Sequence, residues 1–246
     1  MQLIENFFNK DECDFAISEI MSYKNHWYNC AETDMFVVGN SLLRKQDFDK
    51  NGNKDYSNYL NSKDLYFKTL EIFKEKISKE FLETKFCSFL PKPGFQIINT
   101  SGSKNPAVWH YDDILTFYPY DVEFSDYKNN FPNYFESFYI FNLMLTDTQS
   151  NFDYFPETNS NFLNVLPAET PICKEHVNLV GDNCPNSSCK LKEFKSISYS
   201  RGSLLIQKDE RILHRVGIRD INGKDEMRIT LTGYGVVKNN VMYLYW

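Results

Sequence analysis

Four residues of this chain could together hold a metal ion and an anion. His110 and Asp112 are separated by one residue, while His214 and Arg228 follow near the C-terminal end of the chain. Two imidazoles and one carboxylate on one face of an Fe(II) octahedron leave the opposite positions open for a chelating cosubstrate and O2. A guanidinium binds a carboxylate through two parallel hydrogen bonds. The set therefore predicts a non-heme Fe(II) site with an anion-binding arginine behind it.

The spacing of His110 and Asp112 suits a β-strand, because residues i and i+2 of a strand point to the same side. Asp113 is a rival carboxylate, but at i+3 from His110 it would face the other way. The third ligand must come from a distant strand, and His214 follows the turn and apolar run of residues 201–206. The competing interpretation is that the histidines are ordinary core residues, because an isolated His-x-Asp pattern has many chance matches.

Arg228 and Thr230 fall on one face of a predicted strand, and this pairing favours an anion site. A buried arginine beside a metal would bind an anionic group, whereas an exposed arginine would form a surface ion pair of little consequence. Arg215 and Arg219 are the alternatives if the strand register is shifted.

The charge and cysteine content exclude several classes of protein. The chain has 246 residues and a net charge of −6, which argues against a nucleic-acid-binding surface. No segment reaches the roughly 20 apolar residues of a membrane span, and the first residues do not form a signal peptide. Six cysteines in such a chain indicate reduced thiols rather than a disulfide framework. We therefore expect a cytoplasmic protein that binds neither nucleic acid nor membrane.

The N-terminal part combines a short edge strand with two helices. Residues 2–8 are typical of a strand, and Asn9 can cap a helix with Asp11 and Glu12 in its first turn. A second helix is predicted over residues 65–84. The apolar stripe of the first helix is predicted to consist of Phe15, Ile17, Ile20 and Met21.

From residue 95 onward, short strands and turns replace the helical pattern. Their irregular spacing indicates a jelly roll or barrel rather than alternating βαβ units. The sequence thus predicts an α+β, mainly β fold, in which residues 1–94 pack on a core of residues 95–246 as one compact domain. The loops at 119–136 and 167–192 are candidates to close over the metal. The strands are predicted at residues 95–99, 106–112, 114–118, 137–146, 161–165, 202–208, 212–218 and 227–236.

A second metal site is one interpretation of the loop at 167–192. Cys173, His176, Cys184 and Cys189 are ligand types that zinc accepts, but their spacing matches no common zinc module. Reduced cysteines in a flexible loop, or a disulfide between Cys184 and Cys189 formed on oxidation, are the competing interpretations.

Aromatic residues around the His-x-Asp motif could line a substrate pocket. Trp109, Tyr111 and Tyr118 are the candidates, although strand aromatics commonly pack in a core. The aromatic loops favour a covered pocket, and hence a small-molecule or amino-acid substrate over a protein.

These motifs resemble the iron(II)/2-oxoglutarate-dependent dioxygenase superfamily, and most of all its prolyl-4-hydroxylase-like branch. Residues 4–17 resemble the entry strand and first helix of that branch, and residues 95–112 resemble its strand, loop and strand into His-x-Asp. Residues 142–148 are similar to its next core strand, and residues 202–232 to its closing section with the distal histidine and basic residue. The resemblance covers most of the chain in patches, and only the His-x-Asp, His and Arg set is specific.

The resemblance implies a double-stranded β-helix core, flanked by N-terminal helices, that binds Fe(II) and 2-oxoglutarate. It further implies a hydroxylase that oxidises an unactivated C–H bond with O2 and releases succinate and CO2. The retained Asp112 favours hydroxylation over halogenation. The implied site residues are His110, Asp112 and His214 for the metal, with Arg228, Thr230 and Asn142 for 2-oxoglutarate.

The chain departs from that branch in ways that bear on its substrate. Thr100 and Met144 stand where the branch often has a tyrosine near 2-oxoglutarate, and the usual Gly-Gly after Thr146-Asp147 is absent. Peptidyl proline is therefore not supported, and a free amino acid, another small metabolite or a different protein side chain stay open. Two alternative functions are a cupin-like metal enzyme that does not use 2-oxoglutarate and a non-catalytic binding protein of the same fold.

Overall fold

The protein is a mainly β structure with helices packed on one side. The computed structural model contains two α-helices, α1 (Lys10–Ser22) and α2 (Lys68–Glu80), and 14 strands within the residues that it describes. The described residues are 1–29, 35–38, 67–80, 84–86, 95–99, 109–111, 136–147, 150–158, 160–161, 186–187, 189, 191, 193–198, 200–218 and 227–245.

The described strands are spread along the chain from residue 2 to residue 245. They are β1 (Gln2–Ile4), β2 (Tyr28–Asn29), β3 (Met35–Val38), β4 (Thr84–Phe86), β5 (Phe95–Asn99), β6 (Ser137–Met144), β7 (Ser150–Tyr154), β8 (Ser160–Asn161), β9 (Lys195–Ser198), β10 (Leu204–Lys208), β11 (Glu210–Arg211), β12 (His214–Ile218), β13 (Met227–Lys238) and β14 (Val241–Tyr245).

The strands form one large and one small sheet, with β8 and β11 as a separate pair. The large sheet has the order β1-β10-β6-β13-β5-β3-β2, and β14 joins β13 to β4. Its pairs are antiparallel except for β4 with β14. The small sheet has the order β12-β7-β9 and is antiparallel. The mainly β character expected from the sequence is confirmed, and the sheets are largely antiparallel.

The two faces of the large sheet bury different partners. One face packs against the helices, through an apolar cluster that includes Phe73 of α2, Ile20 of α1 and Leu231 of β13. The other face meets the small sheet, because Met144 of β6 clusters with Phe152 of β7. Side chains of a strand alternate between faces, so β6 and β10 contribute to both layers.

Helix α1 begins as the sequence predicts. The side chain of Asn9 accepts a hydrogen bond from the Glu12 amide at 2.9 Å, and the Glu12 carboxylate accepts one from the Asn9 amide at 2.7 Å. This reciprocal capping satisfies two amides that would otherwise lack partners in the first turn.

The predicted apolar stripe of α1 was wrong in part. Phe15 is 40% exposed, and the buried stripe consists of Cys13, Ala16 and Ile20. Cys13 lies beside Gly202, where a Cβ would overlap the Phe8 carbonyl oxygen. Small side chains face the sheet here because the helix and the turn at Gly202 approach closely.

Helix α2 begins at Lys68 rather than at the predicted residue 65. The Glu19 carboxylate of α1 accepts hydrogen bonds from the amides of Lys68 and Thr69, at 2.7 and 2.9 Å. A residue distant in sequence thus caps the helix, and the carboxylate also suits the positive end of the helix dipole. Neither α-helix among the described residues is long and apolar enough to cross a membrane.

Several predicted segments lie partly or wholly outside the described residues. These are the strand at 114–118, most of the strands at 106–112 and 161–165, residues 119–135 of the first loop and most of residues 167–192 of the second. The division of the chain at residue 94 stays a prediction.

Candidate metal centre

The structure brings His110 and His214 side by side. The two residues form an antiparallel bridge in which each amide donates to the other's carbonyl oxygen, at 2.9 and 3.0 Å. Directly opposed residues of antiparallel strands point to the same face. The imidazole ring centroids are 4.4 Å apart, with an angle of 56° between the ring planes.

The ring of His214 is fixed by its immediate surroundings. Its Nδ1 lies 2.9 Å from the Ile212 carbonyl oxygen, and the residue is only 6% exposed. A carbonyl oxygen only accepts hydrogen bonds, so Nδ1 carries the proton and Nε2 of the neutral ring keeps its lone pair. Phe152 stacks on the same ring with a centroid distance of 4.8 Å. This imidazole is held in the tautomer and orientation that a metal ligand needs.

The backbone next to His214 is also held by hydrogen bonds. The Leu213 amide donates to the Thr158 hydroxyl at 2.9 Å, and the Leu213 carbonyl accepts from the Phe155 amide at 3.0 Å. The Thr158 hydroxyl in turn donates to the Phe155 carbonyl. These buried bonds fix the residue from which β12 starts.

Asp112, the predicted third ligand, lies outside the described residues, as does its rival Asp113. Within the described part of the chain, no three His, Cys, Asp or Glu side chains form a group that could hold a metal ion. The structure therefore describes two of the three predicted metal ligands, His110 and His214.

Arg228 and Thr230 project from β13 on the face that meets the small sheet. Arg228 is 3% exposed and Thr230 is 1% exposed. Thr230 pairs with Met144, which belongs to the cluster between the two sheets. Ile229, between them in sequence, packs instead in the cluster under the helices. Both polar residues are thus buried on the same side of the sheet as Met144.

Asn142 lies on that same face and contacts a neighbour on β13. Its side-chain oxygen accepts a hydrogen bond of 2.8 Å from the Thr232 hydroxyl, and the two residues are directly opposed in the ladder. The amide nitrogen of Asn142 is a donor that this bond does not use. A contact between Asn142 and 2-oxoglutarate stays a prediction.

Arg215, an alternative anion-binding residue, faces away from the histidine pair. It is directly opposed to Asp153 in the ladder, and its Nε lies 3.2 Å from the Asp153 carboxylate. Consecutive residues of a strand point to opposite faces, so Arg215 and His214 lie on different sides of β12. Arg219 lies outside the described residues. Of the two described arginines, Arg228 is the one on the inner face.

The candidate pocket aromatics that are described lie in a separate apolar cluster. Trp109 is fully buried, with its ring 4.5 Å from that of Phe155, and Tyr111 packs at the edge of the cluster. These surroundings are those of core residues. Tyr118 lies outside the described residues, and a pocket-lining role for the three stays a prediction.

Of the four possible zinc ligands only Cys189 is described; its side chain is half-buried and forms no disulfide. Cys173, His176 and Cys184 lie outside the described residues. The zinc site therefore stays a prediction.

Sequence reasoning missed the residues that support the histidines. Phe152 stacks on His214, and Asp153 binds Arg215 from the next position of β7. The alternation of Phe152, Asp153 and Tyr154 is a strand signal that could have predicted β7. Its pairing with β12 could not have been predicted, because nothing local specifies it.

The chain has a distant structural likeness to a 2-oxoglutarate-dependent enzyme. No family model matches the chain, and no curated protein matches it in sequence. A similar solved structure is that of SnoN, the non-heme alpha-ketoglutarate-dependent epimerase from nogalamycin biosynthesis. The likeness covers 96% of this chain and 78% of the SnoN chain, with 9% sequence identity and a TM-score of 0.47. A likeness this distant carries no argument about the site or the reaction, and the prolyl-4-hydroxylase-like branch stays a prediction.

Proposed function

We propose that this protein is an Fe(II)- and 2-oxoglutarate-dependent oxygenase that hydroxylates an unactivated C–H bond of a small molecule or an amino-acid side chain. The observation that carries the proposal is the bridge between His110 and His214, with buried Arg228 on the sheet that faces them. When bound, Fe(II) with 2-oxoglutarate and O2 supplies the oxidation that converts C–H into C–OH, while 2-oxoglutarate becomes succinate and CO2.

The geometry of the histidine pair fits an octahedral metal ion. Adjacent ligands of such an ion stand at right angles, and a metal–nitrogen distance of roughly 2.1 Å puts the two imidazole centroids roughly 4.5 Å apart. The observed separation of 4.4 Å agrees with this value. With Nδ1 donating to the Ile212 carbonyl oxygen, a neutral His214 ring would bind the metal through Nε2. Neutral imidazoles suit Fe(II), and we assign the remaining ligand to Asp112 because it stands at i+2 from His110.

The order of the strands supports a double-stranded β-helix. Along the chain, β5, β6, β10 and β13 enter the large sheet, while residues 109–111 and β7, β9 and β12 enter the small one. A division of these eight segments between two facing sheets would fit a jelly roll. In this arrangement β12 carries the distal histidine, and β13 carries the arginine on the facing sheet.

Arg228 is assigned to the far carboxylate of 2-oxoglutarate. A guanidinium with 3% exposure has lost most of its hydration, and such a charge is stabilised by an anion that matches its planar donors. Thr230, two positions along the same face, would donate its hydroxyl to the same carboxylate. Phe152 covers one side of His214 and excludes water from that side of the site.

The test is an anaerobic titration of the metal-free protein with Fe(II) and then with 2-oxoglutarate, read by visible absorption. We expect a weak charge-transfer band that needs both additions. Arg228→Ala should require far more 2-oxoglutarate, since removing one partner of a buried charge pair costs roughly 2–5 kcal/mol. Arg201→Ala is the matched control, because Arg201 pairs with Asp14 of α1 and should leave the titration unchanged.

Two outcomes would replace the proposal. Bound iron without the band, or a band that is indifferent to Arg228, would favour a cupin-like metal enzyme that does not use 2-oxoglutarate. No iron binding in the native protein would favour a non-catalytic binding protein. If the band appears, succinate release against panels of small molecules and amino acids identifies the substrate.

A further inference from the structure

Trp109 and Arg215 form a contact on the reverse side of the histidine bridge. Each is the chain neighbour of one bridging histidine, so the antiparallel register that opposes His110 to His214 also opposes Trp109 to Arg215. The guanidinium carbon lies 4.3 Å from the centre of the indole ring. Trp109 is 0% exposed and Arg215 is 3% exposed. Two cross-strand pairs therefore share one register, with the histidines on one face and this buried cation–π pair on the other.

Further contacts hold the guanidinium of Arg215 in place. Asp153 of β7 binds it at 3.2 Å, and the Ser196 hydroxyl of β9 donates to the other oxygen of that carboxylate at 2.5 Å. The ring of Phe194 lies 5.2 Å from the guanidinium carbon. Arg215 thus connects the segment at 109–111 to β7 directly, through Asp153, and to β9 indirectly, through the bond between Asp153 and Ser196.

The register of the segment that carries His110 decides which way its ring points. The segment pairs with β12 through the bridge between His110 and His214. A slip of one residue would exchange the two faces of the segment and turn the His110 ring away from His214. A slip would also remove the indole from the guanidinium, and a buried charge that loses its contacts is strongly disfavoured.

We propose that Arg215, held between Trp109 and Asp153, is a positioning residue that sets the register of His110 against His214. Arginine suits this position because its planar guanidinium can stack on the indole of Trp109 and bind the Asp153 carboxylate with its edge. A lysine ammonium cannot make both contacts in this way. The register itself is a property of the fold, and its consequence for metal binding rests on the proposed function.

The register can be measured without metal, by amide hydrogen exchange in the metal-free protein. The test variants are Trp109→Leu, which removes the stacking partner, and the double change Arg215→Met with Asp153→Asn, which leaves no unpaired buried charge. Exchange of the His110 and His214 amides should accelerate about tenfold or more, the scale set by a desolvated cation–π contact. The amides of β6 and β13 should keep their protection. Arg215→Lys should have an intermediate effect.

Fe(II) affinity supplies the second measurement, at a temperature where circular dichroism shows every variant folded. We expect affinity to fall about tenfold or more in Trp109→Leu and in the double variant, as for other groups that orient a metal-ligating histidine. Arg201→Met, which removes an ion-paired arginine on the helix side, is the control that lowers stability without changing metal affinity.

The outcomes separate this inference from the proposed function. Unchanged exchange at His110 and His214 in the folded variants would overturn the register proposal. Faster exchange with native metal affinity would uphold the register proposal and overturn its expected consequence for metal binding. If the native protein binds no Fe(II), the proposed function fails, and the exchange result alone decides whether Arg215 sets the register.

Discussion

The two faces of strands β6 and β13 use the same backbone for different purposes. On the helix side, Phe141, Leu143 and Leu231 belong to one continuous apolar cluster. On the side that meets the small sheet, β13 buries Arg228 and Thr230. Neighbouring residues of a strand face opposite sides. Residues that pack under the helices therefore alternate along β13 with residues that face the candidate site. The contrast teaches that stability and binding can be altered separately within a single strand.

The largest expected effect lies on the helix side. Phe141 is fully buried and contacts the ring of Phe73 from α2. Phe141→Ala should lower the free energy of unfolding by roughly 3–5 kcal/mol, because it leaves a cavity between sheet and helix. Urea denaturation measures this change. In the folded variant, Fe(II) and 2-oxoglutarate affinities should stay within about twofold of native, as expected for separate sites. A large loss of affinity at low temperature would show that the two faces are not independent.

Adjacent residues on β13 make the comparison sharper. Leu231→Ala should cost roughly 2–5 kcal/mol of stability and leave binding unchanged. Thr230→Val should cost about 1 kcal/mol of stability. It should weaken 2-oxoglutarate binding roughly tenfold or more, because a hydrogen bond to a charged group contributes ~1.5–3 kcal/mol. Urea denaturation measures the stability of both variants, and calorimetric titration measures their 2-oxoglutarate affinity. Equal losses of stability and of affinity in the two variants would contradict the assignment of the faces.

A double-mutant cycle on Asn142 and Thr232 tests a smaller effect on the inner face. Their hydrogen bond of 2.8 Å should give a coupling of about 0.5–1.5 kcal/mol in the free energy of unfolding. Asn142→Ala should weaken 2-oxoglutarate binding, whereas Thr232→Val should not, since only the Asn142 amide nitrogen is assigned to the cosubstrate. Equal affinities in the two single variants would remove Asn142 from the site.

The smallest expected effect is a pH dependence on the helix side. Burial raises the pKa of the Cys13 thiol, with Arg201 opposing the shift. Below the ordinary thiol pKa, Cys13 makes its full contribution to the free energy of unfolding. That contribution is lost as pH rises towards the raised pKa, because the thiol ionises at lower pH in the unfolded chain than in the folded protein. The stability difference between native protein and Cys13→Ala should therefore shrink at alkaline pH. Cys189→Ala controls for general thiol effects, and a difference that is constant with pH would contradict the prediction.

Local signals in the sequence predicted several features correctly. Asn9 was predicted to cap α1, and the structure contains this cap, to which the Glu12 side chain adds a reciprocal hydrogen bond. The mainly β character followed from short alternating segments. The expectation that Arg228 and Thr230 share a strand face depends only on the period of two, and both are buried on one face.

Other features depend on contacts between distant segments and could not be predicted. The start of α2 depends on Glu19 of another helix, and the buried stripe of α1 depends on its close approach to Gly202. Arg215 was interpreted as a possible anion-binding residue because its partner on β7 is invisible in the sequence. A pattern can predict which residues share a face, but it cannot predict what the opposing surface presents.

Strand β1 has a consequence for how the protein behaves in concentrated solution. It pairs with β10 at one edge of the large sheet, where β10 is an apolar and largely buried strand. Without β1, the free amides and carbonyls of β10 would form an open edge, which is a template for pairing between molecules. A chain that lacks its first five residues should therefore self-associate. We therefore expect the three residues of β1 to protect the protein against self-association through the edge of β10.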